Sequence, residues 1–270
     1  MLSILSRKID RAALLNKTVS RRGYYVERDI AFDLHPRLAL DHYRPAREKA
    51  EAPLIVYIHG GTWEEGSKDD YLFVGEAFAT KGYHVFIPNY RLYPEVTFPG
   101  FVEDGAVAVA WIAKQPEFEG RKIILMGHSA GGLNASLLAM DSTYMESVGV
   151  DRLRTIVGFI GLAGGYDFLP LEEDVYGHFF PHETREQSQA INYVRGKHPP
   201  ILLLYGAKDR TVHPHNAASL NRALVAQGSH CELKIYPNLG HIGILSALAK
   251  VFRWRAPVLR DCLHFVEGLY

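Results

Sequence analysis

Ile123-Ile124-Leu125-Met126-Gly127-His128-Ser129-Ala130-Gly131-Gly132 is the stretch on which the fold turns. Four apolar residues in a row, two of them β-branched, read as a buried strand, and the small residues after them close it with a tight turn. Leu133, Leu137 and Leu138 then recur at helical spacing. Between strand and helix lies Gly127-x-Ser129-x-Gly131, the pattern of a nucleophile elbow. Such a turn holds its serine in a strained conformation at the tip of a sheet. Small neighbours are needed because strand and helix backbones nearly touch there, and the hydroxyl faces the positive end of a helix, where developing negative charge is favoured.

A second strand-and-loop unit lies upstream. Leu54-Ile55-Val56-Tyr57-Ile58 reads as another buried strand, followed at once by His59-Gly60-Gly61-Thr62-Trp63. Consecutive glycines leave backbone N–H groups free to converge on one point, which is what stabilisation of an oxyanion requires. His59 is read as a hydrogen-bonding residue that holds this loop rather than as a base.

On these residues the chain resembles the α/β-hydrolase superfamily, close to the branch of hormone-sensitive-lipase-like esterases, feruloyl/acetyl-esterase-like proteins and arylformamidases. Gly66 and Lys68, Asn89-Tyr90-Arg91-Leu92-Tyr93-Pro94, Tyr205-Gly206-Ala207-Lys208-Asp209 and Gly240-His241 extend the match. The landmarks fall in family order over about nine-tenths of the chain. The resemblance implies that Gly61, Thr62 and Ala130 donate the oxyanion hydrogen bonds, each such donor being worth about 3 to 4 kcal/mol in the transition state. Thr62 departs from the family's third glycine. His128 and Asn89 stand where hormone-sensitive-lipase-like members often carry Asp, and both lean toward the esterase/formamidase branch.

In this fold the order along the chain is nucleophile, acid, base. Asp209 follows the apolar run Ile201–Tyr205, with Asp167 as its competitor after the strand Thr155–Leu162. His241 follows the alternating segment Cys231–Tyr236, with His213, His215 and His230 as competitors that lack a Gly-His loop. Asp209 and His241 are placed at the carboxyl edge of a parallel sheet, where such sheets bind ligands.

Composition adds limits. The 270 residues suffice for one α/β domain, and 30 basic against 30 acidic residues give no global field that would attract nucleic acid. There is no zinc-ligand cysteine pattern and no phosphate-binding glycine loop, so neither metal nor cofactor is expected. Two cysteines, Cys231 and Cys262, fit a reducing cytoplasm. The first residues carry Arg7, Lys8, Asp10 and Arg11 before a secretion signal could form, no apolar run is long enough to span a bilayer, and a cytoplasmic location is expected. Residues 1–22 are expected to form a small cap helix over the active-site edge.

Tyr24–Phe32 and Leu38–Tyr43 read as antiparallel opening strands. Tyr83–Ile87 reads as a parallel strand, with helices over Tyr71–Lys81 and Phe101–Lys114. The alternation predicts one domain with a mainly parallel sheet and helices on both faces. Residues 168–200, long and rich in His, Tyr and Phe, are expected to form a lid or pocket wall, with Phe179 and Trp63 against substrate.

The reading that follows is a serine carboxylesterase for small, short-acyl esters: Ser129 the nucleophile, His241 the base, Asp209 the acid. An arylformamidase-like amidase would use the same triad. A non-catalytic binding protein on this scaffold is the reading from another class. Oligomeric state is left open.

Overall fold

The two apolar runs that opened the sequence lie side by side at the centre of an eight-stranded sheet. In this computed structural model, which describes residues 14–270, the strands are β1 (Tyr24–Ala31), β2 (Ala39–Pro45), β3 (Leu54–Ile58), β4 (Val85–Pro88), β5 (Ile123–His128), β6 (Ile156–Leu162), β7 (Ile201–Gly206) and β8 (Cys231–Tyr236). Their order is β1-β2-β4-β3-β5-β6-β7-β8. β1 pairs antiparallel with β2, and β2 antiparallel with β4. From β4 to β8 every pairing is parallel.

Every residue of β3 and β5 is buried, so both strands are covered on both faces, which is why they read as continuous apolar runs rather than alternating ones. The covering helices are α1 (Leu72–Ala79), α2 (Gly100–Ala113), α3 (Ala130–Met140), α4 (His215–Ala226), α5 (His241–Ser246) and α6 (Val258–Glu267). α6 turns Val258, Leu259, Cys262, Phe265 and Val266 inward, and Phe265 and Leu269 pack over Gly158 of β6. Burial of each large apolar side chain of this kind contributes about 1.5 to 3 kcal/mol.

Differences from the sequence reading lie at element ends. The expected helix over 71–81 is shorter and is preceded by a 3-10 turn, Lys68–Tyr71, which Ser67 and Asp70 close with a reciprocal capping box. β4 begins at Val85, where its register with Ile55 starts, rather than at Tyr83. Residues 168–200 hold three short turns, Glu173–Tyr176, Arg185–Ser188 and Ala190–Tyr193. They are tied to the core through buried Phe179, Phe180 and Ala190, and Phe98 N–H donates to the Phe179 carbonyl at 2.9 Å. Residues 1–13 of the expected cap helix lie outside the described residues.

Candidate active site

Four loops leave the carboxyl ends of parallel strands on one edge of the sheet: those after β3, β5, β7 and β8. They carry Gly61 and Thr62, Ser129, Asp209 and His241. Ser129 has φ 56° and ψ −122°, a backbone region that a side chain enters only under strain. The flanking glycines make that turn possible. A side chain at Gly131 would run into the carbonyl oxygens of Ile58 and His59, and one at Gly127 into that of Gly131, so α3 can approach β3 closely only with glycine there.

Three side chains join in series. His241 Nε2 lies 2.8 Å from Ser129 Oγ, and His241 Nδ1 lies 2.8 Å from Asp209 Oδ2. The second carboxylate oxygen of Asp209 accepts from the Thr211 and Val212 amides at 2.9 and 3.0 Å. Burial alone would raise the Asp209 pKa, but the His241 ring and these two amides outweigh it and hold the carboxyl below its usual value. An aligned carboxylate, imidazole and hydroxyl can move a proton off the hydroxyl as it attacks a carbonyl.

The expected oxyanion donors are all main-chain amides. Ser129 N–H is engaged by the Leu162 carbonyl at 3.0 Å, whereas the amides of Gly61, Thr62 and Ala130 make no hydrogen bond among the described residues. Ala130 opens α3, so the helix dipole adds to its donor.

A buried framework fixes this loop. His59 Nδ1 is 2.8 Å from the Gly60 carbonyl, and its ring stacks between Tyr90 and Tyr71. Burial lowers its pKa to about 4, so it is neutral near pH 7 and suited to holding rather than proton transfer. Tyr90 Oη donates to the His59 carbonyl at 3.0 Å, and Asn89 Oδ1 accepts from Lys68 N–H at 2.7 Å. The Lys68 ammonium, 2% exposed, is ringed by Asp29, Asp41 and Asp69 at 2.6, 2.8 and 3.1 Å. These contacts give structural work to the Asn89–Pro94 and Gly66/Lys68 motifs. Sequence reasoning missed Arg37, which donates to the carbonyls of Tyr90 and Gly66 at 2.7 Å each. No periodicity marks it.

Two cavities flank Ser129. The smaller, about 90 Å³, is bordered by Leu15, Tyr71, Phe73, His241, Ile242 and Leu245 among others. The larger, about 360 Å³, is bordered by Trp63, Ala130, Asp167, Phe168, Tyr176 and Phe180 among others. Trp63 thus borders the larger cavity while its Nε1 donates to Asn134 Oδ1 at 3.1 Å. Phe179 requires correction: it borders neither cavity and packs behind Trp63 and against Tyr93, leaving its neighbour Phe180 to form the wall. Both are buried, and sequence does not say which of two adjacent aromatics lines a cavity.

The competitors make other contacts. Asp167 accepts a hydrogen bond from Ser219. His213 Nδ1 accepts from His215 N–H, and His230 lies near Glu232 at 3.5 Å. Among the described residues no group of three or more His, Cys, Asp or Glu is placed to hold a metal ion, and no helix is long and apolar enough to cross a membrane. Cys231 and Cys262 are buried free thiols.

A family model described as BD-FAE matches residues 40–173. Esterase B from Lactobacillus rhamnosis superposes with a TM-score of 0.82 at 21% identity, covering 99% of this chain and 94% of that one.

The chain has the α/β-hydrolase fold.

Curated relatives of this chain include isoprenylcysteine alpha-carbonyl methylesterase ICME of Arabidopsis thaliana, 26% identical over 80% of this chain and 56% of the relative. Esterase LipC of Mycobacterium tuberculosis is 25% identical over 82% of this chain and 60% of the relative. The chain thus spans less than two thirds of the length of these two relatives.

Proposed function

We propose that this α/β-hydrolase is a serine carboxylesterase. The observation that carries the reading is the unbroken series Ser129–His241–Asp209, with both side-chain hydrogen bonds at 2.8 Å. Kinship with named esterases supports an ester as the substrate class.

Ser129 Oγ attacks the ester carbonyl as its proton passes to His241 Nε2, while Asp209 holds the ring and stabilises the imidazolium. The carbonyl oxygen becomes an oxyanion held by the amides of Gly61, Thr62 and Ala130. Collapse breaks the bond to the alkoxy oxygen, which leaves as the alcohol with the proton from His241. Water, deprotonated by His241, then attacks the acyl-enzyme and the acid departs, restoring Ser129.

Short acyl groups are proposed as substrates because aromatic side chains, Trp63, Phe168, Tyr176 and Phe180, bound the 360 Å³ cavity. Hydrolysis of ethyl butyrate by wild type and by Ser129→Ala, followed by acid release at constant pH, tests the assignment. Loss of nucleophile is expected to reduce kcat by at least about 10⁴-fold. Equal rates in the two proteins would overturn it.

A further inference from the structure

The two cavities at Ser129 differ in size and in which part of the proposed machinery they contain. Ser129 and Thr62 border both. His241 borders only the small one, together with Ile242 and Leu245 from the same helix. The proposed oxyanion donors are divided, with Gly61 bordering only the small cavity and Ala130 only the large one, so His241 is the group that distinguishes them. A leaving alkoxide must reach His241 Nε2 to collect its proton. The alcohol portion of an ester therefore lies in the small cavity and the acyl portion in the large one.

One wall of the small cavity comes from a residue far away in sequence. Leu15 is 9% exposed, whereas its neighbour Leu14 is 60% exposed. Leu15 is held in place by the residue after it: Asn16 Nδ2 donates to the Asp69 carbonyl at 2.7 Å, and Phe73 N–H donates to Asn16 Oδ1 at 3.4 Å. Thr18 Oγ1 donates to the Leu15 carbonyl at 2.7 Å and tightens the turn. This clip seats the Leu15 side chain in the wall it shares with Phe73 and Leu245. At about 90 Å³ this space is smaller than the roughly 150 Å³ apolar cavity that accepts benzene.

We infer that Leu15 is a specificity-determining residue that limits the leaving group to small alcohols, of about four carbons or fewer, while the acyl side tolerates larger groups. The inference rests on the triad reading above.

The test is kcat/KM on two ester series, with alcohol length varied from methyl to hexyl butyrate and acyl length varied from methyl acetate to methyl octanoate. Wild type, Leu15→Ala and Leu15→Phe are compared, with rates expressed per site titrated by an ethyl p-nitrophenyl phosphonate. Wild type is expected to lose at least about tenfold from methyl to hexyl butyrate. Leu15→Ala should narrow that ratio about tenfold and Leu15→Phe should widen it, with the order along the acyl series unmoved in both. A change of stability alone would not move the two series differently. An alcohol ratio unchanged in both variants, or wild type that takes hexyl butyrate as readily as methyl butyrate, overturns the assignment of Leu15. If the phosphonate titrates no site in wild type, the triad reading falls and this inference falls with it.

Discussion

His128 Nε2 lies 3.0 Å from the main-chain carbonyl oxygen of His241. The residue before Ser129 thereby ties the β5 elbow to the loop carrying the imidazole. The carbonyl can only accept, so the ring carries its proton on Nε2. The two rings also lie with centroids 4.8 Å apart. His128→Leu should remove this tether and leave the carbonyl wanting a donor, lowering stability by about 1 to 2 kcal/mol. Ester turnover is expected to fall about tenfold in kcat with KM little changed, as read from steady-state kinetics beside a denaturant titration.

Asp209 sets a pH dependence of stability. Its folded pKa lies below the unfolded value, so its contribution is fully present above the unfolded carboxylate pKa and is lost as pH falls through the lower folded value. The stability difference between wild type and Asp209→Asn should therefore shrink as the solution is acidified below the ordinary carboxylate range. Urea titrations at successive pH values measure it, and a difference that grows with acidity would contradict the sign. At neutral pH the same variant is expected to lose about 10³ to 10⁴-fold in kcat.

Gly131→Ala should damage both fold and site, because the added methyl meets the carbonyl oxygens of Ile58 and His59 with no side chain to give way. A loss of about 1 to 3 kcal/mol is expected, read as a lowered Tm. Because the strand end that must shift leads directly into the oxyanion loop, turnover should fall in the population that remains folded.

Phe179 and Phe180 offer a discriminating pair. Both are buried and either truncation costs stability, about 3 to 5 kcal/mol where the site cannot collapse. Only Phe180 borders the large cavity. Phe180→Ala should shift preference toward longer acyl chains, and Phe179→Ala should leave the relative acyl profile in place. A shared change in profile would remove the distinction.

Lys68 gives a further prediction. Asp41 is wholly buried, and its carboxylate is partnered by Lys68 and by Arg28, each at 2.8 Å. Lys68→Met leaves buried negative charge with half its compensation, and a loss of about 3 kcal/mol is expected in urea titration.

What the sequence disclosed and what it did not divide along a physical line. β5 and α3 were legible because local information suffices: Ile123–Met126 must be buried, and Gly127 and Gly131 must lack side chains. The placement of Asp209 and His241 followed from chain order plus the rule that parallel strands present their carboxyl ends together. Contacts between residues distant in sequence carry no local signature. Nothing near Leu15 announces Phe73 and Leu245, and nothing near Trp63 announces Asn134, 71 positions on. Arg37 is equally silent, since its task is to satisfy two carbonyls that only the folded chain brings to it. Phe179 was misplaced because a wall residue and the residue behind it have the same composition.

The most direct test of the central claim is covalent. Wild type treated with ethyl p-nitrophenyl phosphonate should acquire one adduct per chain, located by peptide mass on Ser129. The rate should fall by at least about 100-fold in His241→Gln, and the adduct should be absent in Ser129→Ala. An adduct on another residue, or labelling at the same rate without His241, would contradict the account.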